Sequence, residues 1–231
     1  MTEEDASAEL GDISHYVEEI GDSVLDEKSF QQDDESVDIL FCRHGNSGYE
    51  IVDEPSKPYF TIKYGFNLTK HIAFELSEEQ ISERTDIPPE DFSGFKQIDE
   101  LDEVDELDGE SEVVIPQGSD NLPPQFEAQF EAAEDVIESV DEEVLERFKL
   151  NLFQELSHPE VATALTHTTN DYFNGFVISR KIFPEDSGFT LTEFNKTVQA
   201  VISVGTFGGN WVSQFLGELD GFEDIGTNQE D

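Results

Sequence analysis

The chain has 231 residues, in which 55 Asp and Glu stand against 12 Lys and Arg for a formal net charge of −43. No basic stripe is present to neutralise phosphates, which excludes direct contact with DNA or RNA on electrostatic grounds. Its single cysteine, Cys42, rules out an internal disulfide and a thiolate cluster from one chain. No stretch approaches the roughly 20 apolar residues that cross a bilayer.

Taken in order, residues 1–36 are an acidic amino-terminal segment, read as partly disordered or as a short helix. Ile13, Tyr16, Val17, Ile20, Val24 and Leu25 would form one helical stripe, with Gly21 weakening it. Such a stripe either docks a partner, through Ile13, Tyr16, Val17 and Ile20, or folds back on its own domain. The start, MTEEDASAEL, lacks the basic-then-apolar pattern of a secretory signal, which predicts a cytoplasmic protein.

Residues 37–217 read as a single α+β domain. Val37 to Cys42 leads through the Gly45-Asn46-Ser47-Gly48 turn to Tyr49 to Val52, a hairpin. Tyr59 to Tyr64 alternates with period two, and His71 to Leu76 repeats the pattern, extending the meander. Residues 77–121 read as an acidic insertion. Its run Ile98, Leu101, Val104, Leu107 recurs every three residues among Asp and Glu and builds no stable helical face. A calcium loop fails there, because Gly109 at the sixth position would put Val104 where a carboxylate is required.

Pro123-Pro124 then opens a helix carrying Phe126, Phe130, Ala133, Ile137, Val140 and Val144. A second start signal at Ser139 to Glu142 marks a break before Leu145, Phe148, Leu152 and Leu156 continue the stripe. Strands are predicted over Ala162 to Thr168 and Phe176 to Phe183, with Asn174-Gly175 as the turn before the second. Thr190, three residues before Glu193, caps a helix whose entrance is flanked by Phe189 and Phe194. Gly205, Gly208 and Gly209 are expected to end it. A short amphipathic piece follows, and Phe207, Trp211 and Phe215 are the second candidate contact surface. Residues 218–231 are an acidic tail.

The predicted fold is thus an antiparallel sheet of about four or five strands packed on two or three helices. In order and pattern it resembles the type III secretion chaperone-like fold, including the YbjN-like group. The likeness is carried by GFVISRKIFPEDSGFTLTEFNKTVQAVISVG, from Gly175 to Gly205, and by EIVDEPSKPYFTIKY, from Glu50 to Tyr64. It implies binding of segments of other proteins, or regulation, often as a homodimer, and it brings no active-site residues, metal or cofactor. The charge balance in turn resembles the acidic style of haloarchaeal proteins. Screening over about 10 Å at 0.1 M salt leaves neighbouring carboxylates repelling one another, whereas about 3 Å in molar salt silences them.

An enzyme is the alternative. Arg43-His44-Gly45 after an apolar strand resembles the opening of the histidine phosphatase family, which would make His44 the phosphorylated nucleophile and Arg43 a phosphate ligand. A second His and a second Arg would have to come from His158 or His167 and from Arg84. The five histidines show no spacing that assembles a metal site on one element. The expectation is therefore a non-enzymatic interaction module without cofactor or metal, its partner another protein or a second copy of itself.

Overall fold

A computed structural model of the chain describes residues 10–32, 35–54, 56–85, 124–167, 173–184 and 189–217. The elements run α1 (Leu10–Glu19), β1 (Ser23–Gln32), β2 (Glu35–His44), β3 (Ser47–Asp53), β4 (Phe60–Asn67), α2 (Leu68–Glu75), α3 (Glu78–Arg84), α4 (Pro124–Ser139), α5 (Glu142–Glu155), β5 (Ala162–His167), β6 (Phe173–Ile182) and α6 (Leu191–Gly217). They divide into two units, one up to Phe66 and again from Glu146, the other over Asn67–Leu145. Among the described residues no helix is long and apolar enough to cross a membrane.

The first unit is built on one six-stranded sheet in the order β1-β2-β3-β4-β6-β5. β1 to β4 form an antiparallel meander, and β5 and β6 pair antiparallel. Strands thus outnumber the expected four or five, because the amino-terminal segment contributes one. Ile13 and Val17, four residues apart on α1, are both buried, and Gly21 at φ +86° turns the chain out of the helix. Val24 and Leu25 consequently lie in β1 rather than on a continued helical stripe. A two-residue turn with Gly45 at φ +56° joins β2 to β3, as the glycines suggested. Asn174-Gly175, expected as a turn, lies inside β6 instead, with Gly175 at φ +135° opposite Thr166, where the β5–β6 register slips.

One sheet face is apolar and lies under α6. Leu40, Cys42, Tyr49, Ile51, Ile62, Phe176 and Ile178 are buried there by simple alternation along each strand. The Thr190 cap is formed, since the Glu193 N–H donates to Thr190 Oγ1 at 3.2 Å. Tyr16 of α1 sets its ring against both Phe189 and Phe194, 5.2 and 5.8 Å between centroids. The helix does not stop at its glycines but runs on for 27 residues. A Cβ on Gly208 would come within 2.6 Å of Leu156 Cδ2 and Phe176 Cζ, and one on Gly205 would run into the Tyr64 ring. These glycines are gaps that let the helix approach the sheet. From α5, Phe148, Leu152 and the following Leu156 are buried, and Phe148 lies against Phe173, Trp211 and Phe215.

The second unit is helical. Residues His71 to Leu76, expected as a strand, belong to α2 and its C-cap, because the Asn67 side chain accepts from the Lys70 N–H at 2.7 Å and caps a helix there. A reciprocal capping box between Ser77 and Gln80 starts α3, which buries Ile81, so the proposed insertion begins with structured chain. Both short helices pack on α4, whose buried face is Ala128, Ala132, Ala133, Val136 and Ile137. The break after Ser139 is present, and Asp141 caps α5 by accepting from the Glu143 N–H at 2.9 Å. The three-residue repeat from Ile98 to Asp108 and the tail 218–231 lie outside the described residues.

Candidate functional site

The polar centre of the first unit forms where α1 hands over to β1. Asp22, just past the Gly21 turn, has a side chain only 2 % exposed. It accepts from two partners on the neighbouring hairpin: His44 Nδ1–H donates to Oδ1 at 2.6 Å, and the Tyr49 hydroxyl donates to Oδ2 at 2.9 Å. A carboxylate on Nδ1 fixes the tautomer, leaving Nε2 as an acceptor. Gln199 of α6 occupies it, its amide N–H donating to His44 Nε2 at 3.1 Å. Helix, hairpin and the α1–β1 corner are thereby tied through one imidazole.

Cys42 and Tyr49 are direct cross-strand partners below this cluster. Burial pushes the Cys42 thiol up to about 12, so it is protonated and unreactive at neutral pH. Burial likewise raises the Tyr49 hydroxyl above its ordinary value, which keeps it a donor to Asp22. Among the described residues the hydrogen-bond partners of His44 are Asp22 and Gln199. This imidazole is a strut.

The Arg43-His44-Gly45 tripeptide is placed differently from the phosphatase arrangement. Successive strand residues point to opposite faces, and here Arg43 is exposed beside Gly48 while His44 turns to the helix-covered face. The two side chains therefore leave β2 on opposite faces of the sheet. Arg84 belongs to the helical unit, where it pairs with Asp135 at 3.3 Å. His167 ends β5 with its ring near Phe173, and His158 lies in the loop before β5. Among the described residues no group of three or more His, Cys, Asp or Glu is placed to hold a metal ion.

The candidate contact residues separate by burial. Ile13 and Val17 are core, 1 % and 0 % exposed, and cannot receive a partner; the stripe folds back on its own unit. Tyr16 and Ile20 are half-buried. Trp211 and Phe215 are half-buried against Phe148, with Phe215 only 4.1 Å from it between centroids, whereas Phe207 is open to solvent. Sequence reasoning missed Leu150 and Phe153. They lie one turn apart on the side of α5 away from Phe148 and Leu152, at 58 % and 43 % exposed. The signal was available, since neither fits the buried stripe that places Phe148, Leu152 and Leu156 four residues apart. Both sheet edges are chain-terminal in the order: β1, ten residues with a bulge between Val24 and Asp26, and the six-residue β5.

No family model matches this chain, and no curated protein matches it. Among solved structures it is similar to an uncharacterized protein from Methanothermobacter thermautotrophicus, at 12 % identity over 88 % of this chain and 95 % of that one, with a TM-score of 0.49.

Proposed function

We propose that this chain is a non-enzymatic protein-binding module, chaperone-like or regulatory, that works in the concentrated salt of a cytoplasm. The observation that carries this reading is the Leu150–Phe153 pair on the outer side of α5. The chain carries a net charge of −43, and an apolar pair in water at high salt costs more to expose than in dilute buffer. A partner that covers the pair recovers that cost. The order helix, strand meander, helices, hairpin, long helix supports the likeness to the type III secretion chaperone-like fold, which belongs to the same proposal. β5 offers an edge for strand addition next to this helix in sequence. Nothing in the geometry of Arg43 and His44 favours the phosphatase alternative.

Light scattering and crosslinking in molar KCl test the proposal, on the wild type alone and after incubation with a lysate of a salt-adapted host. The expected outcome is either a homodimer or a defined heteromeric complex. The double substitution Leu150→Glu with Phe153→Glu abolishes it while leaving the circular dichroism unchanged. A wild type that stays monomeric and unliganded, or a complex indifferent to the double substitution, overturns the reading.

A further inference from the structure

The exposed side of α6 borders a groove of about 460 Å³, walled by the loop that enters β5 and by the end of β6. Its lining is rich in cations for this chain. Arg180 and Lys196, two of 12 Lys and Arg, face it together with His158, and Glu160 and Glu193 answer them. The two ion pairs differ in kind. Lys196 Nζ donates to Glu193 Oε1 at 2.8 Å, one helical turn away. Arg180 Nη1 stands 3.9 Å from Glu160 Oε2, beyond hydrogen-bonding distance, so its donors are not spent on that carboxylate. Gln199 completes the lining and is held from behind, through His44, by the buried carboxylate of Asp22.

We propose that this groove binds a small zwitterion, a molecule of amino-acid or dipeptide size bearing one carboxylate and one ammonium group. The Arg180 guanidinium presents parallel N–H groups that match a carboxylate bidentately. Glu160 and Glu193 supply acceptors for an ammonium, and the Gln199 amide can take either a carbonyl or an N–H of the ligand. Concentrated salt selects this class. Screening over about 3 Å leaves a bare anion little net attraction to a groove that also holds two carboxylates, and chloride would compete for it. A ligand carrying both signs keeps its gain, because it exchanges one short-range charged contact for another at each end. Volume agrees, since small-molecule sites begin at about 300 Å³. The proposal rests on the salt-adapted part of the proposed function but not on the apolar face of α5.

The test is a thermal-shift panel in molar KCl with each of the proteinogenic α-amino acids, and with glycylglycine, as probes. At about a hundredfold excess over the dissociation constant, at least one free amino acid or the dipeptide raises Tm by roughly 5 °C. Its N-acetyl and its C-terminal amide derivatives, each lacking one charge, do not. Arg180→Lys, which keeps the charge and loses the fork, weakens binding at least tenfold, and Arg180→Ala abolishes it. Lys181→Ala, on the other sheet face where Lys181 bonds the Tyr59 hydroxyl, leaves it intact and controls for folding and net charge. The proposal is overturned if no probe shifts Tm, if the N-acetyl derivative binds as well as its parent, or if binding survives both Arg180 substitutions.

Discussion

Asp22 and Asp53 show how differently two carboxylates in one sheet can be treated. Asp22 is enclosed but accepts two hydrogen bonds, from His44 and Tyr49, and so retains partners for its charge. Asp53 stands directly across the β2–β3 ladder from Asp38, a like-charge pair in register. Burial first, and repulsion from Asp38 second, push its carboxyl above the usual range. A carboxyl whose folded value is raised favours the protonated form. Its contribution to stability is therefore present below the unfolded value and is lost as pH rises through the folded one. Asp53→Asn is accordingly expected to raise stability at neutral pH, and with it Tm, by a few tenths of a kcal/mol up to about 1 kcal/mol for a removed cross-strand repulsion. The gain should vanish at about pH 3, where both variants are uncharged at this position. Melts of both proteins across that range decide it, and a gain that persisted in acid would remove electrostatics as its cause.

At the scale of elements, α6 shows why propensity and packing must be weighed together. A glycine inside a helix costs about 0.5–1 kcal/mol relative to alanine, so Gly208→Ala would stabilise an isolated helix. In this fold the added methyl meets Leu156 Cδ2 and Phe176 Cζ at 2.6 Å, and both neighbours are themselves buried. Overpacking of this kind costs about 1–3 kcal/mol, which outweighs the propensity gain. We expect Gly208→Ala to lower Tm in molar KCl; a rise would mean that the helix stands off the sheet. The same close approach explains why α6 carries on through Gly205, Gly208 and Gly209. Helix formation needs only backbone hydrogen bonds, and a buried small-residue face substitutes for the propensity the glycines lack.

For the molecule as a whole, the charge of −43 sets the conditions under which either unit stays folded. Few carboxylates have a cationic partner among the described residues, and most of those pairs are exposed, such as Lys196–Glu193 with side chains 64 % and 46 % open. Exposed pairs contribute at most about 1 kcal/mol each and cannot offset the summed repulsion. Far-UV circular dichroism during dialysis from molar KCl into dilute buffer is expected to show progressive loss of helix and strand signal, with Tm falling steadily as salt is removed. A spectrum and a Tm that do not change would show that the acidic surface serves a dedicated task rather than salt adaptation.

Much of the architecture was legible locally. Alternation marked β4, the turn glycines marked the β2–β3 hairpin, the Thr190 cap marked α6, and the start signal at Ser139 to Glu142 marked the break before α5, although its cap is Asp141 rather than Ser139, because each depends on residues within one turn or one strand. His71 to Leu76 was misread because Ile72, Phe74 and Leu76 fit period two while a single cap at Asn67 tipped the balance to helix. What a residue three strands or a helix away decides was not legible: Gly208 as a contact rather than a stop, which of the two readings of the Ile13 and Val17 stripe holds, and the ties of His44 to Asp22 and Gln199. Sequence alone determines which segments can bury a face and what charge the surface must carry. Only the tertiary structure decides which faces meet, because close packing and hydrogen-bond satisfaction depend on partners far apart in the chain, as His44 and Gln199 are at 155 positions.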